Sequence, residues 1–173
     1  MAEVAFDPEA IISVLEKHVV EYVLIGGLAG RLYGSPIVTR DMDVCYSRAP
    51  DNLKRLAAAL AELHAAIRGV EPALGPRFTI DETALRLGDS FTCSTTAGDF
   101  DCLGTPRGVG GYSELAAGAA VVQIGSHTVR VASLDDLIAM KRAAGRPQDL
   151  LAVEHLAALR EEREQANRPD LDK

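Results

Sequence analysis

The sequence predicts an α+β protein in which one mixed, twisted sheet is flanked by helices. Two hairpin signals indicate antiparallel strands, one around Ala97-Gly98-Asp99 and one around Gly125-Ser126. Amphipathic stretches of helical period lie between the strand-like runs, without the regular alternation of a parallel sheet. The 173 residues suffice for one domain. We expect a core over about residues 8–131 and C-terminal helices over about residues 133–165.

The first half of the chain predicts three helices and two strands. Asp7 and Pro8 are suited to the start of the first helix, and Gly34-Ser35-Pro36 ends the second. The predicted helices cover Pro8–Val19, Leu28–Tyr33 and Asn52–Ile67. The predicted strands cover Tyr22–Ile25 and a run that carries Asp41 and Asp43.

The second half predicts short strands followed by two helices. Gly69–Pro76 and Gly104–Gly111 are expected to be loops, and Tyr112–Ala117 a short helix or turn. The predicted strands cover Leu85–Leu87, Phe91–Thr96, Phe100–Leu103, Val121–Ile124 and His127–Val131. Ser133 begins a helix that Gly145-Arg146-Pro147 ends, a final helix covers Asp149–Gln165, and Asn167–Lys173 is expected to be a polar tail.

Composition narrows the classes of function. The net charge of −7 argues against a broad basic surface for long nucleic acids, although it leaves room for a local basic patch. Cys45, Cys93 and Cys102 lack zinc-site spacing, so we predict buried free thiols. The acidic start MAEVAFDPEA does not resemble a signal peptide, and no apolar run is long enough to span a membrane. We therefore expect a cytoplasmic protein.

Carboxylates on two strands form the candidate metal site. Asp41 and Asp43 share one strand face because side chains alternate, and two adjacent carboxylates are best explained by a shared cation. Asp101 on a later strand is the preferred third carboxylate, with Asp99 as the alternative. Three such carboxylates suit Mg²⁺, and two ions can support phosphoryl or nucleotidyl transfer.

Gly26-Gly27 and Lys141 are candidates for binding phosphate. A glycine pair at a helix start offers backbone N–H groups, and a lysine offers a point charge. Each feature also has an ordinary structural interpretation: a tight turn for the glycines and a solvated helix lysine for Lys141. Arg31 and Arg40 could contact phosphates or form surface ion pairs equally well.

These motifs, in this order, resemble the DNA polymerase β-type nucleotidyltransferase superfamily. The segments GGLAGRLYGSPIVTRDMDV, GDFDCLG and LDDLIAMKRAAGRPQDL resemble its AbiEii/MenT-like branch, many members of which are toxins of toxin–antitoxin pairs. The resemblance extends over roughly residues 20–160 and implies the corresponding fold. The sequence departs from the wider superfamily at Gly27, where serine is common, and so lacks one side-chain donor.

The resemblance also implies a role for each candidate residue. Asp41, Asp43 and Asp101 would bind the metal, and Asp101 would also orient or deprotonate the attacking hydroxyl. Asp149 would support the site by fixing Lys141 or Arg146, although Arg146 and Asp149 could form only a structural salt bridge. The residues that would hold the triphosphate or support its binding are Gly26, Gly27, Lys141, Arg146 and Asp149.

The implied function is Mg²⁺-dependent transfer of NMP from an NTP to a hydroxyl acceptor. The branch points to the 3′ end of tRNA, hence to a toxin that blocks translation. The sequence leaves open whether a cognate antitoxin exists. A protein hydroxyl is an alternative acceptor. A catalytically silent nucleotidyltransferase-like binding module is the alternative from another class of function.

Overall fold

The computed structural model describes residues 4–70 and 79–167 and confirms the predicted α+β class. The helices are α1 (Pro8–Lys17), α2 (Gly26–Tyr33), α3 (Pro50–Glu62), α4 (Glu82–Leu87), α5 (Tyr112–Gly118), α6 (Leu134–Ala144) and α7 (Pro147–Ala166). The strands are β1 (Tyr22–Ile25), β2 (Asp41–Tyr46), β3 (Ala66–Ile67), β4 (Ser90–Thr95), β5 (Gly98–Leu103), β6 (Ala120–Ile124) and β7 (His127–Val131).

These strands form one mixed sheet in the order β3-β4-β5-β2-β1-β7-β6. β2 lies in its centre, antiparallel to β1 and parallel to β5. The β2–β5 register places Asp41 beside Asp99 and Asp43 beside Asp101. The two hairpins predicted from sequence are confirmed as β4–β5 and β6–β7.

The core explains why the strands present their carboxylates on one side. Met42 and Val44 are fully buried, whereas Asp41 and Asp43 alternate with them and face the opposite side. Helix α2 packs against β1, β2 and α6, which brings the C-terminal helices to the carboxylate side of the sheet. Cys45, Cys93 and Cys102 are buried and free, as predicted.

Several helix boundaries follow from local chemistry that the sequence displays. The Asp7 side chain accepts a hydrogen bond from the Ala10 N–H at 3.0 Å and begins α1, as predicted. Ser133 begins α6 in the same way, through the Asp136 N–H at 3.1 Å. α1 ends at Lys17, two residues earlier than predicted, and Val19 has a φ of 54° that no α-helix allows.

The structure also corrects one predicted strand and the bounds of one predicted helix. Leu85–Leu87 belongs to α4 rather than to a strand, because the Asp81 side chain accepts the Ala84 N–H at 2.8 Å and begins a helix there. The predicted helix over Asn52–Ile67 begins at Pro50 and ends at Glu62. His64, with a φ of 50°, then turns the chain into β3.

α2 begins at Gly26 rather than Leu28, and α7 begins at Pro147 rather than Asp149. Residues 71–76 of the predicted loop and residues 168–173 of the predicted tail lie outside the described residues. Across residues 4–70 and 79–167, the helices are too short or too polar to cross a membrane.

Candidate active site

Three carboxylates from two neighbouring parallel strands meet above the sheet. Asp41 and Asp43 come from β2 and Asp101 from β5, and one ligand oxygen from each lies within 4.8 Å of the others. Each is partly buried and faces a shared cavity. A set made only of carboxylate oxygens suits a hard divalent cation such as Mg²⁺, which takes few protein carboxylates and completes its shell with water and phosphate oxygens.

The electrostatics of the cluster favour a bound cation. Burial, together with the charges of Asp41 and Asp101, raises the pKa of Asp43 from 3.8 to about 7, against the opposing effect of Lys141 and Arg68. Burial also raises the pKa of Asp101, although Arg68 acts in the opposite direction. The nearby side-chain cations therefore do not fully offset the clustered negative charge.

Asp99 does not belong to this cluster, although it lies on the same strand face as Asp101. One of its carboxylate oxygens accepts a hydrogen bond from Arg68 Nη1 at 2.7 Å, and the other accepts the Ser94 hydroxyl at 3.1 Å. The second guanidinium nitrogen of Arg68 bonds Asp101. The geometry thus favours Asp101 over Asp99 as the third carboxylate.

The glycine pair forms the N-terminus of α2 and lines the same cavity. Gly26 has a φ of +70°, and a Cβ atom placed on it would lie 1.9 Å from Asp43 Oδ2. Asp43 therefore packs directly against the bare Gly26 backbone. Because the first N–H groups of a helix have no intrahelical acceptor, this helix start can donate to an anion beside the carboxylates.

The C-terminal helices supply the positive side of the cavity. Lys141 Nζ on α6 lies 3.2 Å from Asp149 Oδ1 on α7, and Arg146 Nε lies 2.7 Å from Asp149 Oδ2. The side chain of Asp149 is only 1% exposed. Burial acts to raise its pKa, but the hydrogen bonds and the positive charges of Arg146 and Lys141 together outweigh burial and hold the pKa below its ordinary value. Asp149 contacts both cations, whereas the sequence resemblance implied a contact with Lys141 or Arg146.

The cavity has a volume of about 770 Å³, within the usual range for small-molecule and cofactor sites. The carboxylates and Lys141 line it together, over an apolar wall that includes Leu137 and Met140. Arg107 and Arg146 add positive charge to the lining. The predicted site residues thus lie around one cavity, although their catalytic roles stay predictions.

Two residues that contact the carboxylate cluster directly were not predicted from sequence. Arg68 follows the two-residue strand β3, which lies inside a segment predicted to be helical, so no local pattern indicates its contact with Asp101. Thr39 donates a short hydrogen bond to Asp41 Oδ1. Its hydroxyl, two positions before Asp41, is a signal that the sequence does contain.

The fold is shared with solved structures of two antibiotic-modifying or antibiotic-resistance proteins. The chain is similar to the crystal structure of the lincosamide antibiotic adenylyltransferase LnuA with lincomycin bound, with a TM-score of 0.59 and 13% sequence identity, over 88% of this chain and 95% of LnuA. It is also similar to the solution structure of the antibiotic-resistance factor ANT(2'')-Ia, with a TM-score of 0.53 and 14% identity, over 92% of this chain and 90% of that one. No family model matches the sequence, and no curated protein matches it significantly.

Proposed function

We propose that the protein is a metal-dependent nucleotidyltransferase that moves NMP from an NTP to a hydroxyl acceptor and releases pyrophosphate. One observation carries the proposal: Asp41, Asp43 and Asp101 converge within 4.8 Å and line one cavity with Lys141 and the Gly26-Gly27 helix start. Such a cavity offers ligands for a cation beside groups that can donate hydrogen bonds to a phosphate. Nucleotidyl transfer needs both, because its catalysis consists mainly of positioning and charge stabilisation.

The three carboxylates would hold Mg²⁺, and a pair of ions matches the sequence resemblance. When bound, Mg²⁺ supplies charge stabilisation at the phosphates and activation of the attacking oxygen. The backbone N–H groups at Gly26-Gly27 and the Lys141 ammonium would bind the triphosphate. Asp149 would hold Lys141 at the phosphates through its 3.2 Å contact.

Asp101 is best suited to the attacking hydroxyl. In the proposed step the acceptor oxygen bonds to the α-phosphorus, the bond from that phosphorus to the leaving oxygen breaks, and pyrophosphate departs. The hydroxyl proton passes to Asp101. Arg68 bonds one oxygen of Asp101 and would hold this carboxylate in place while it orients the hydroxyl and accepts its proton.

The acceptor that the sequence resemblance supports is the 3′ end of tRNA, which would make the protein a translation-blocking toxin with a cognate antitoxin. Arg107 and Arg146 line the cavity and give it local positive charge despite the net charge of −7. A small-molecule hydroxyl is the second candidate, because LnuA is an antibiotic adenylyltransferase and the structural match covers most of both chains. A protein hydroxyl is the third.

The test is transfer of α-³²P label from each of the four NTPs, with Mg²⁺, onto RNA, protein and small molecules of one cell extract. We expect a labelled tRNA-sized band that Asp41→Ala abolishes. Asp51→Ala is the matched control, because Asp51 lies on α3 with its side chain 85% exposed and does not line the cavity. Label retained by Asp41→Ala at equal protein would contradict the site.

The products separate the alternatives. Label on a protein band would identify protein nucleotidylation, and label in the small-molecule fraction would favour an antibiotic-like acceptor. If no fraction is labelled, thermal unfolding with NTP and Mg²⁺ becomes decisive, since a ligand that binds the folded state raises the midpoint. No labelled product and no midpoint shift would favour the silent binding module.

A further inference from the structure

Thr39 contacts the first carboxylate of the cluster. It lies between α2 and β2, half-buried in the cavity wall, and its hydroxyl donates a short hydrogen bond to Asp41 Oδ1. Thr39 Oγ1 also lies 3.4 Å from the Asp41 backbone carbonyl oxygen, which is a weaker acceptor than the carboxylate. Hydrogen bonds to an ionised acceptor are the stronger kind, so this contact restricts how the Asp41 carboxylate can rotate.

The Thr39 side chain also occupies the space in front of Gly27. A Cβ atom placed on Gly27 would lie 2.8 Å from Thr39 Oγ1 and 2.9 Å from Thr39 Cβ. The distance to Thr39 Cβ matters more, because rotation of the Thr39 side chain moves Oγ1 but leaves its Cβ in place. Thr39 and a side chain at position 27 therefore exclude each other unless the backbone shifts.

A threonine hydroxyl has only one hydrogen to donate. If that hydrogen is donated to Asp41, Thr39 cannot also donate to a phosphate. Phosphate binding at this end of the cavity is then left to backbone N–H groups at the start of α2 and to Lys141. Thr39 acts instead through Asp41, one oxygen of which lies within 4.8 Å of the ligand oxygens of Asp43 and Asp101.

We propose that Thr39 is a positioning residue that fixes the Asp41 carboxylate for the divalent cation, and that position 27 is glycine because Thr39 needs the space. The inference rests on the proposed function for its kinetic part. Its metal-binding part does not depend on nucleotide transfer. Removing hydrogen-bond partners of metal ligands typically weakens metal affinity or activity about 10- to 100-fold.

The test measures Mn²⁺ binding to the metal-free full chain by electron paramagnetic resonance, without nucleotide. Thr39→Val preserves the branched shape but lacks the hydroxyl, and Thr39→Ser preserves the hydroxyl. We expect Thr39→Val to bind Mn²⁺ about 10-fold more weakly or worse, with Thr39→Ser close to wild type. Wild-type affinity in Thr39→Val, or no Mn²⁺ binding by the wild-type protein, would overturn the proposal.

Gly27→Ala tests the spatial part of the proposal. Its added Cβ must displace Thr39, so we expect it to reproduce the Mn²⁺ defect of Thr39→Val. Gly30→Ala on the same helix is the matched control, because its Cβ would meet Leu156 Cδ2 at an ordinary 3.4 Å. Wild-type Mn²⁺ affinity in Gly27→Ala would refute the steric conflict between Thr39 and a side chain at position 27. Thermal midpoints of the variants check that each is folded.

Kinetics distinguish this inference from the proposed function. Under saturating Mg²⁺, Thr39→Val should lower kcat while the KM for NTP changes little, since the Thr39 hydroxyl bonds Asp41 and so would not bind the nucleotide. If wild-type protein binds Mn²⁺ but transfers no label from any NTP, the proposed function fails. The Mn²⁺ affinities then still decide whether Thr39 positions Asp41.

Discussion

Asp43→Asn should stabilise the metal-free protein at neutral and alkaline pH. Burial and two neighbouring carboxylates raise the pKa of Asp43 from 3.8 to about 7, so ionising it is more costly in the folded than in the unfolded state. Asparagine has nearly the same shape, carries no charge, and can donate a hydrogen bond to a neighbouring carboxylate. The variant therefore removes a repulsive charge without opening a cavity.

The size of the effect follows from the two pKa values. The rise from 3.8 to about 7 is roughly a thousandfold change in proton affinity, or about 4 kcal/mol at about 1.4 kcal/mol per tenfold. This penalty is absent below about pH 4, grows as the pH rises, and is complete above about pH 7. Relaxation and salt reduce this penalty. We therefore expect the free energy of unfolding of Asp43→Asn to exceed that of wild type by about 2–4 kcal/mol at about pH 8.

Urea unfolding in EDTA, at several pH values between about 5 and 8, measures the difference. It should widen with pH and then level off. Asp51→Asn, which removes an exposed carboxylate, should show no such widening. Added Mg²⁺ should stabilise wild type and not Asp43→Asn. A variant that is less stable than wild type at about pH 8 in EDTA, or a difference that does not change with pH, would refute this reasoning.

The other predictions concern the positive side of the cavity and the helix start. Asp149→Asn should lower the free energy of unfolding by about 1–3 kcal/mol, because Lys141 and Arg146 lose a buried anionic acceptor. Chemical denaturation checks this, and since the pKa of Asp149 is lowered, the difference from wild type should disappear as the pH falls below about 4. The same variant should raise the KM for NTP; an unchanged KM would indicate a purely structural salt bridge. Gly26→Ala should abolish Mg²⁺-dependent transfer, because its Cβ would lie 1.9 Å from Asp43 Oδ2; activity near wild type would disprove that packing.

The sequence predicted the elements whose signals are local and repeated. The alternation of acidic and apolar residues predicted that Asp41 and Asp43 share one face of β2, and the structure agrees. Asp7 and Ser133 predicted the starts of α1 and α6. The strand predicted over Leu85-Arg86-Leu87 was wrong, because three residues cannot distinguish a strand period of two from a helical period of 3.6. The capping residue Asp81, four positions earlier, was the better guide.

The parts of the site that sequence could not supply depend on contacts distant along the chain. Asp99 and Asp101 have the same local sequence pattern, and Arg68 bonds both of them. Their environments differ because Asp99 also accepts the Ser94 hydroxyl, whereas Asp101 lies in the carboxylate cluster. Arg68 reaches both aspartates because β3 pairs with β4 at the sheet edge. A strand of two residues leaves no periodic signal from which that pairing could be predicted.

The parallel pairing of β2 with β5 also affects the order in which the chain can assemble during synthesis. Asp41 and Asp101 are about 60 residues apart, so closing that contact carries a larger entropy cost than forming a hairpin. Lys141 and Asp149 lie further along the chain again. Since proteins emerge from the ribosome N-terminus first, the acidic cluster can close with Arg68 beside it before Lys141 has been synthesised. A chain shortened before α6 would therefore present clustered carboxylates without the lysine that faces them.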